Sequence, residues 1–258
     1  MIAFSTSWNS HRHTSGEEML REIKALGFDL IELGHGIRIS LLPGIQKMFD
    51  AGEVRFSSLH NFCPLPVEVL SASPDCFQMS ALDKSERDRA VKQTLQTIDL
   101  AARLQAPFVV LHLGSVAMNA ITDELIALAQ KGELLSRRCR GYEEIPSERE
   151  IPELLEQIAA PHVGYWHDMG HVQIKENLGF LDHADWLRTI APRTFGCHMQ
   201  DVKWPARDHQ PPFFGDMRLE PLAHLLPSDC QIVWELSPRG SAEEVAQSRA
   251  IWKERFGE

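Results

Sequence analysis

Short apolar segments alternate with helical patterns along almost the whole of this 258-residue chain. Such alternation is typical of a parallel sheet with crossover helices and argues against a sandwich or a helix bundle. The apolar segments predict seven strands, at residues 2–5, 28–33, 54–59, 108–111, 163–166, 195–199 and 231–235. The helical patterns predict eight helices, at residues 15–26, 43–51, 86–104, 121–135, 147–159, 184–190, 219–226 and 241–255. The sequence therefore predicts an α/β protein.

Two further features favour a closed barrel over an open nucleotide-binding sheet. No glycine-rich phosphate turn follows the first predicted strand, and polar residues stand repeatedly at strand ends. The alternation breaks once, at the polar segment 136–146, where two predicted helices follow each other without a buried strand between them. We therefore predict a single domain over residues 1–258, a TIM (β/α)8-type barrel whose fifth strand is missing or irregular.

The patterns also predict which side chains are buried. In the helix at 86–104, Val91, Leu95, Ile98 and Ala102 recur on one side, and we expect this side to face the core. Five histidines fall in predicted helices or loops away from strand ends, and we expect them at the surface: His11, His13, His162, His183 and His224.

Composition narrows the class of protein. A formal net charge of −10 with dispersed Lys and Arg opposes binding to nucleic-acid phosphates. The five cysteines lack any C-x-x-C spacing, which argues against a disulfide framework or a zinc–cysteine site and suits a reducing compartment. We find neither a signal-peptide pattern nor an apolar run of membrane-spanning length. We expect a cytoplasmic protein that binds neither nucleic acid nor membrane.

Carboxylates and imidazoles recur at the C-terminal ends of the predicted strands: Glu32, His60, His112, Asp168, His198 and Glu235. Because all strands of a parallel barrel end at one mouth, residues far apart in the sequence converge there. Carboxylates combined with imidazoles suit Zn, Mn, Fe or Co better than Ca. The strand ends therefore predict a site for a metal or a sugar.

Most of these residues also have a structural interpretation. Glu32 can pair with a Lys or Arg, and Asp168 can cap a following helix. His60 and His112 can fill polar positions of the upper barrel layer. Glu235 differs, because a carboxylate at the end of a buried strand is costly unless it is paired or binds a metal. A functional role is therefore favoured for Glu235.

The loop predicted over 201–216 follows the sixth predicted strand and carries further polar residues. His198 and Asp201 can close this loop by a hydrogen bond as readily as His198 can bind a ligand. Lys203 and His209 can hold a sugar oxygen or a phosphate, or they can remain solvated charges.

Seven short motifs, in this order, resemble the xylose isomerase-like TIM barrels, which include sugar-phosphate isomerases/epimerases and apurinic endonuclease IV proteins. The motifs are Ile31-Glu32-Leu33, Ser58-Leu59-His60, Val110-Leu111-His112-Leu113-Gly114, Asp168-Met169-Gly170-His171, His198-Met199-Gln200-Asp201, Asp208-His209-Gln210-Pro211-Pro212 and Trp234-Glu235-Leu236. The resemblance covers nearly the whole chain and rests on the order and spacing of the motifs together.

The resemblance implies a metal site. Carried over from the family, Asp168, His198 and Glu235 bind a divalent metal, expected to be Mn, Zn, Co or Fe. The family's other ligand, a glutamate at the end of the fifth strand, has no counterpart here. Glu143 and Glu144 are the candidates to replace it.

The resemblance also implies a chemistry in which a proton is removed beside a carbonyl. Glu235 is the expected base, with His171 or His112 as its acid partner. The expected contacts to the substrate are Glu32, His60, Lys203 and His209. The expected function is thus a metal-dependent isomerase or epimerase acting on a sugar or sugar phosphate.

Three alternatives stay open: a metal-dependent lyase or dehydratase on a keto-sugar, an endonuclease IV-like phosphodiesterase, and a non-catalytic sugar-binding barrel that has lost a metal ligand. Four histidines resemble the extra zinc ligands of the endonuclease: His60, His112, His171 and His209. The net charge of −10 opposes that activity. An interrupted barrel would leave two strand edges to cover, so we also expect a homodimer.

Overall fold

The computed structural model describes residues 1–112, 114, 121–134 and 150–257. The chain divides into two compact units, each built from separate segments. Unit 1 comprises Met1–Val116 and Gln231–Ala246, and unit 2 comprises Ala117–Cys230 and Gln247–Glu258. The single domain expected over 1–258 stays a prediction. No helix in the described ranges combines the length and the apolar character needed to cross a bilayer.

Nine strands lie within the described residues: β1 (Ala3–Ser5), β2 (Leu30–Leu33), β3 (Arg55–His60), β4 (Phe108–Val110), β5 (Tyr165–Asp168), β6 (Thr194–Met199), β7 (Asp201–Lys203), β8 (Arg207–Gln210) and β9 (Gln231–Trp234). Nine α-helices lie in the same ranges: α1 (Gly16–Ala25), α2 (Leu42–Asp50), α3 (Lys84–Arg103), α4 (Thr122–Gln130), α5 (Glu150–Ile158), α6 (Met169–Asn177), α7 (His183–Ile190), α8 (Leu219–Ala223) and α9 (Ala242–Phe256). All seven predicted strands and all eight predicted helices are present. The strands β7 and β8 were not predicted, and a helix at the position of α6 was considered only as the structural interpretation of Asp168.

Unit 1 contains a parallel sheet in the order β4-β3-β2-β1-β9. Register places Ser5 opposite Glu32, and Glu32 opposite Ser58. On the other side of β1, Phe4 lies opposite Trp234. The C-terminal ends of these strands are therefore level, which brings the residues that follow β2, β3 and β9 to one end of the sheet.

Local signals in α1 show why the sequence forms this helix. The Ser15 side chain accepts the backbone N–H of Glu18 at the N-terminus. Met19, Leu20 and Ile23 are buried at helical spacing, and Gly27 ends the segment with a φ of +89° that suits glycine. The helix α1 therefore lies within the range 15–26 that the sequence predicts.

The predicted buried side of α3 is wrong. Val91, Leu95 and Ile98 are 51, 56 and 44% exposed. The buried side instead carries Ala90, Thr94, Thr97, Leu100 and Ala101.

Hydrogen bonds to a residue before α3 explain this reversal. The Asn61 amide donates to Thr94 Oγ1 at 2.8 Å, and Thr97 Oγ1 lies 3.0 Å from Asn61 Oδ1. Thr97 Oγ1 also accepts the backbone N–H of Cys63. Because the threonine hydroxyls are paired, this face can be buried although it is less apolar than the opposite one.

Unit 2 contains the parallel pair β5 and β6, with Asp168 opposite His198. The helix α6 starts directly after β5, capped by Asp168, whose side chain accepts the backbone N–H of His171. An apolar cluster of Leu155, Val172, Trp186 and Ile190 supports these elements. The segment expected to be an irregular loop after β6 instead forms the antiparallel hairpin β7–β8. Its strands are short and polar, so no alternating pattern marked them.

The break in the predicted alternation falls outside the described residues, and so do Glu143 and Glu144. Among the strands that the structure describes, β4 pairs within unit 1 only with β3, and β5 pairs within unit 2 only with β6.

Candidate functional site

The end of the unit 1 sheet collects a group of ionisable side chains that we call the unit 1 cluster: Glu32, His35, His60, His112 and Glu235. Glu32 lies on β2, His60 ends β3, and Glu235 follows β9. His35 lies on the turn after β2, and His112 follows β4. The level strand ends described above produce this convergence.

Both carboxylates of the unit 1 cluster are buried and accept hydrogen bonds from serines. Glu32 is fully buried, and its Oε2 accepts Ser58 Oγ at 2.8 Å from the opposite register position. Glu235 is 6% exposed, and its Oε1 accepts Ser7 Oγ at 3.4 Å. Hydroxyl donors of this kind orient carboxylates without supplying a compensating positive charge.

The three imidazoles of the unit 1 cluster follow one another in space. The ring centroids of His35 and His60 are 5.3 Å apart, and those of His60 and His112 are 5.2 Å apart. Burial, helped by the neighbouring His60, lowers the pKa of His35 to about 4. The same two causes lower the pKa of His112, while Asp75 opposes them. His35 is therefore neutral at pH 7, with a ring lone pair that can bind a metal or a proton.

Unit 2 holds a second group, the unit 2 cluster: Asp168, His171, His198, Asp208 and His209. Its centre is Asp168, whose two oxygens have separate contacts. Oδ1 accepts the backbone N–H of His171 and the Gln200 amide, both at 2.9 Å. Oδ2 lies 3.1 Å from His171 Nδ1 and 3.9 Å from His198 Nδ1. The helix-cap and ligand interpretations of Asp168 are thus compatible, because each can use one oxygen.

Charge in the unit 2 cluster is strongly coupled. Burial would raise the pKa of Asp168, but His171, followed by His198 and His209, holds it well below its usual range. His171 also lies 3.4 Å from Asp208 Oδ2 through its Nε2. Asp168 is the main cause that raises the pKa of His171 to about 11. The Asp168 side chain is therefore a carboxylate at neutral pH.

Steric crowding explains why glycine occupies position 170 of the Asp168-Met169-Gly170-His171 motif. A Cβ on Gly170 would lie 2.6 Å from the Gln200 side chain. The Gln200 amide donates to Asp168, and its Oε1 accepts the backbone N–H of His209. Close packing at Gly170 thus lets one amide connect Asp168 to the hairpin β7–β8.

Within each unit, one group of donor atoms has spacings compatible with a metal ion. In unit 1, donor atoms of His35, His60 and Glu235 all lie within 4.8 Å of one another. In unit 2, donor atoms of His171, Asp208 and His209 meet the same criterion.

Asp168 and His198, predicted as metal ligands, lie together in unit 2, and His171 and His209 accompany them. The predicted residues of unit 1, including Glu235, belong to the unit 1 cluster. Lys203 is exposed on β7 and belongs to neither cluster. The roles assigned to all of these residues stay predictions.

Sequence reasoning missed His35. The signal was present, since Gly34-His35-Gly36 follows β2 directly and glycines allow close approach of the backbone.

The expected surface position of His183 is wrong. His183 is fully buried, with Nε2 3.0 Å from His167 Nε2 and Nδ1 3.2 Å from Gln173 Oε1. Partners from β5 and α6 satisfy both ring nitrogens, which a local sequence pattern cannot show.

The alternation of parallel strands and helices defines an α/β protein with acid and imidazole side chains at strand ends. A family model described as a xylose isomerase-like TIM barrel matches residues 20–254. The chain belongs to this family, and the predicted TIM-type barrel fold and the stated resemblance are both confirmed.

Solved structures share the fold at low sequence identity. The 3-keto-D-glucoside 4-epimerase from E. coli is 13% identical with a TM-score of 0.67, covering 98% of each chain. A Thermus thermophilus protein soaked with ZnCl2 is 21% identical with a TM-score of 0.60, covering 99% of this chain and 97% of that one. The probable 3-DHS dehydratase from Bacillus anthracis is 12% identical with a TM-score of 0.62, covering 98% of each chain. Among proteins with curated descriptions, none matches this sequence.

Proposed function

We propose that this protein is a metal-dependent isomerase or epimerase that removes and returns a proton beside a carbonyl of a sugar or sugar derivative. The main observation in support is that the two carboxylate oxygens of Asp168 have different partners. One oxygen is held by His171 N–H and Gln200, and the other faces the imidazoles of His171 and His198. The E. coli epimerase of similar fold supports the reaction class.

The chemistry of the donors in unit 2 fits a divalent metal. Asp168 remains ionised, and imidazoles together with carboxylates suit Zn, Mn, Fe or Co rather than Ca. A bound metal would polarise a substrate carbonyl and make the adjacent C–H bond more acidic. Within unit 2, Asp168 and His198 would hold it. A Thermus thermophilus protein of similar fold was soaked with ZnCl2, and we include Zn²⁺ among the ions to test.

The remaining roles belong to this chain's own side chains. Glu235 is the proposed base, because it is a buried carboxylate whose orientation is fixed by Ser7. His171 is the proposed proton donor in unit 2, with His112 as the alternative. We assign contacts with substrate oxygens to Glu32, His60, Lys203 and His209.

A lyase or dehydratase is the second candidate. Proton removal beside a carbonyl is also the first step of elimination from a keto-sugar, and that reaction needs a single base to start it. The family's fifth-strand glutamate has no counterpart in the sequence, which favours a one-base reaction. The similarity in fold to the probable 3-DHS dehydratase supports this candidate.

Exchange with deuterated water tests the proposal. The metal-loaded protein is incubated in D2O with keto-sugars, keto-glycosides and their phosphates, and NMR reads deuterium at the carbon beside the carbonyl. We expect exchange in the wild type and its loss in Glu235→Gln. The control Glu220→Gln alters an exposed glutamate paired with Arg255 and should retain exchange. A new epimer identifies the isomerase, whereas loss of water identifies the dehydratase.

Two results would contradict the assignment. Full exchange in Glu235→Gln would exclude Glu235 as the base. Binding of sugars without exchange, in protein that holds metal, would instead favour a binding protein.

The phosphodiesterase alternative has its own test. Incision of abasic oligonucleotides at low salt would support it, since the donor atoms of His171, Asp208 and His209 lie close enough to hold a metal ion. We expect no incision, because the net charge is −10.

A further inference from the structure

We propose that His35, His60 and Glu235 form a metal site within unit 1, with two imidazoles and one carboxylate as its ligands. Glu235 belongs to the metal ligands that the family resemblance predicts, and His60 is one of the histidines that resemble the extra zinc ligands of the endonuclease. His35 has no assigned role, and His60 was expected to contact substrate. The inference does not depend on the sugar chemistry proposed above.

The sheet of unit 1 supplies the geometry. Glu235 follows β9, His60 ends β3 and His35 follows β2, so all three stand at the same end of the sheet. Their donor atoms lie within 4.8 Å of one another. Donors around a tetrahedral zinc ion, with bonds of about 2.1 Å, are about 3.4 Å apart. Small side-chain rotations would therefore close the set around an ion.

His35 provides an independent observation. Its Nδ1 is buried, and none of the residues that the structure describes offers it a hydrogen-bond partner. Buried polar atoms are almost always paired, so an orphan nitrogen of this kind calls for a ligand.

The backbone around His35 is fixed next to Glu235. The N–H of Gly34 donates to Thr6 Oγ1 at 2.8 Å, and a Cβ on Gly34 would clash with the Ser7 hydroxyl. The same Ser7 hydroxyl donates to Glu235 Oε1. The glycine before His35 and the carboxylate of Glu235 therefore contact one serine, which holds two of the ligands in a constant relation.

His60 is oriented as metal-binding histidines usually are. Its Nδ1 donates to the backbone carbonyl of Asn61 at 3.0 Å, since a carbonyl oxygen can only accept. In the neutral ring this bond places the lone pair on Nε2. Metal-ligating histidines commonly donate their other ring N–H to a carbonyl or carboxylate in this way.

The donor set defines the class of ion. Two imidazoles with one glutamate occur at catalytic zinc sites and at non-haem iron(II) sites, both of which leave positions open for water or substrate. Mg²⁺ and Ca²⁺ prefer oxygen ligands throughout. We therefore expect Zn²⁺, Fe²⁺ or Co²⁺ to bind here and Mg²⁺ not to compete at similar concentrations.

Cobalt(II) titration with visible absorption tests the site. We expect two Co²⁺ equivalents in the wild type and one in His35→Ala. Asp168→Asn, which alters unit 2, should lose the other equivalent. His35→Gln keeps most of the side-chain volume and covers the case in which His35→Ala does not fold. His11→Ala, an exposed histidine of unit 1, is the matched control and should keep both equivalents.

The outcomes separate this inference from the proposed function. Loss of one equivalent in His35→Ala and none in Asp168→Asn leaves the unit 1 site standing and contradicts the unit 2 ligand. The reverse pattern overturns the unit 1 site. A wild type that binds no Co²⁺ overturns both.

His35→Cys offers a gain of signal. A thiolate bound to Co²⁺ produces a sulfur-to-metal charge-transfer band in the near ultraviolet, which imidazole ligands do not. We expect this band in His35→Cys above the wild-type background from native cysteines. His11→Cys should show no such increase. Equal spectra for the two cysteine variants would contradict the site.

Discussion

Asp168 uses one oxygen to cap α6 and turns the other towards the imidazoles of the proposed metal site. Asparagine can still accept the cap hydrogen bond from His171 N–H, whereas alanine cannot. Asparagine removes the charge that faces His171, so we expect Asp168→Asn to destabilise the metal-free protein at pH 7, and Asp168→Ala to lose about 1 kcal/mol more because the cap is lost as well. Both variants should bind metal more weakly in unit 2. Thermal unfolding of the metal-free proteins and metal titration measure the two effects separately.

The lowered pKa of Glu22, which lies outside both clusters, predicts that the stability of the fold depends on pH. Burial would raise its pKa, but hydrogen bonds from Arg12, His13 and Asn9 lower it from 4.5 to about 2. A lowered acid pKa stabilises the fold above the unfolded value, and that stability is lost as the pH falls from about 4.5 to about 2.

The corresponding variant is Glu22→Gln. We expect it to be less stable than the wild type by about 1 to 2 kcal/mol at pH 7, a small value because solvent screens a side chain that is one-third exposed. The difference should shrink towards pH 2 in urea unfolding curves. A difference that is constant across this range would contradict the role of the Glu22 charge.

At the scale of elements, α3 provides the sharpest test of the buried face. Leu100 is 3% exposed and Leu95 is 56% exposed, although both are leucines of the same helix. We expect Leu100→Ala to cost about 2 to 5 kcal/mol of unfolding free energy and Leu95→Gln less than about 0.5 kcal/mol. Chemical denaturation of the two variants decides the matter, and equal losses would contradict the burial described here.

Local patterns predicted strands and helices well and predicted the α3 face badly, for a physical reason. Strand positions follow from apolar residues near one another in sequence, so β1 to β4 were identifiable directly. The α3 face depends on Thr94 and Thr97 bonding to Asn61, more than 30 positions away. Local hydrophobicity cannot contain that partner. The burial of His183 was not predicted for the same reason, because its partners His167 and Gln173 are not its neighbours in sequence.

Most residues of the candidate site were predicted from their positions at the ends of predicted strands. Because parallel strands finish together, strand ends identified six of the cluster residues: Glu32, His60, His112, Asp168, His198 and Glu235. His35 was missed because it lies on a turn, where position depends on the contacts of Gly34 with Thr6 and Ser7. Donor–acceptor geometry of this kind becomes visible only in three dimensions.

On the scale of the whole molecule, we expect the chain to associate with a second copy of itself. The homodimer stays a prediction, based on the interrupted alternation of the sequence. Within unit 1 and among described strands, β4 has one neighbouring strand, β3. We expect sedimentation velocity at micromolar concentration to give twice the chain mass of 29.2 kDa. A mass of one chain that does not rise with concentration would contradict the prediction.

The attachment of the β7–β8 hairpin has a practical consequence for redesign. Gln200 ties the base of this hairpin to Asp168, while the turn between Lys203 and Arg207 carries neither of those bonds. Exchanging residues 204–206 would therefore keep both Gln200 contacts, but it must also preserve the Pro205 carbonyl that accepts the Asn177 amide of α6. Changes at Gln200 or Gly170 would instead disturb the position of Asp168, the proposed metal ligand.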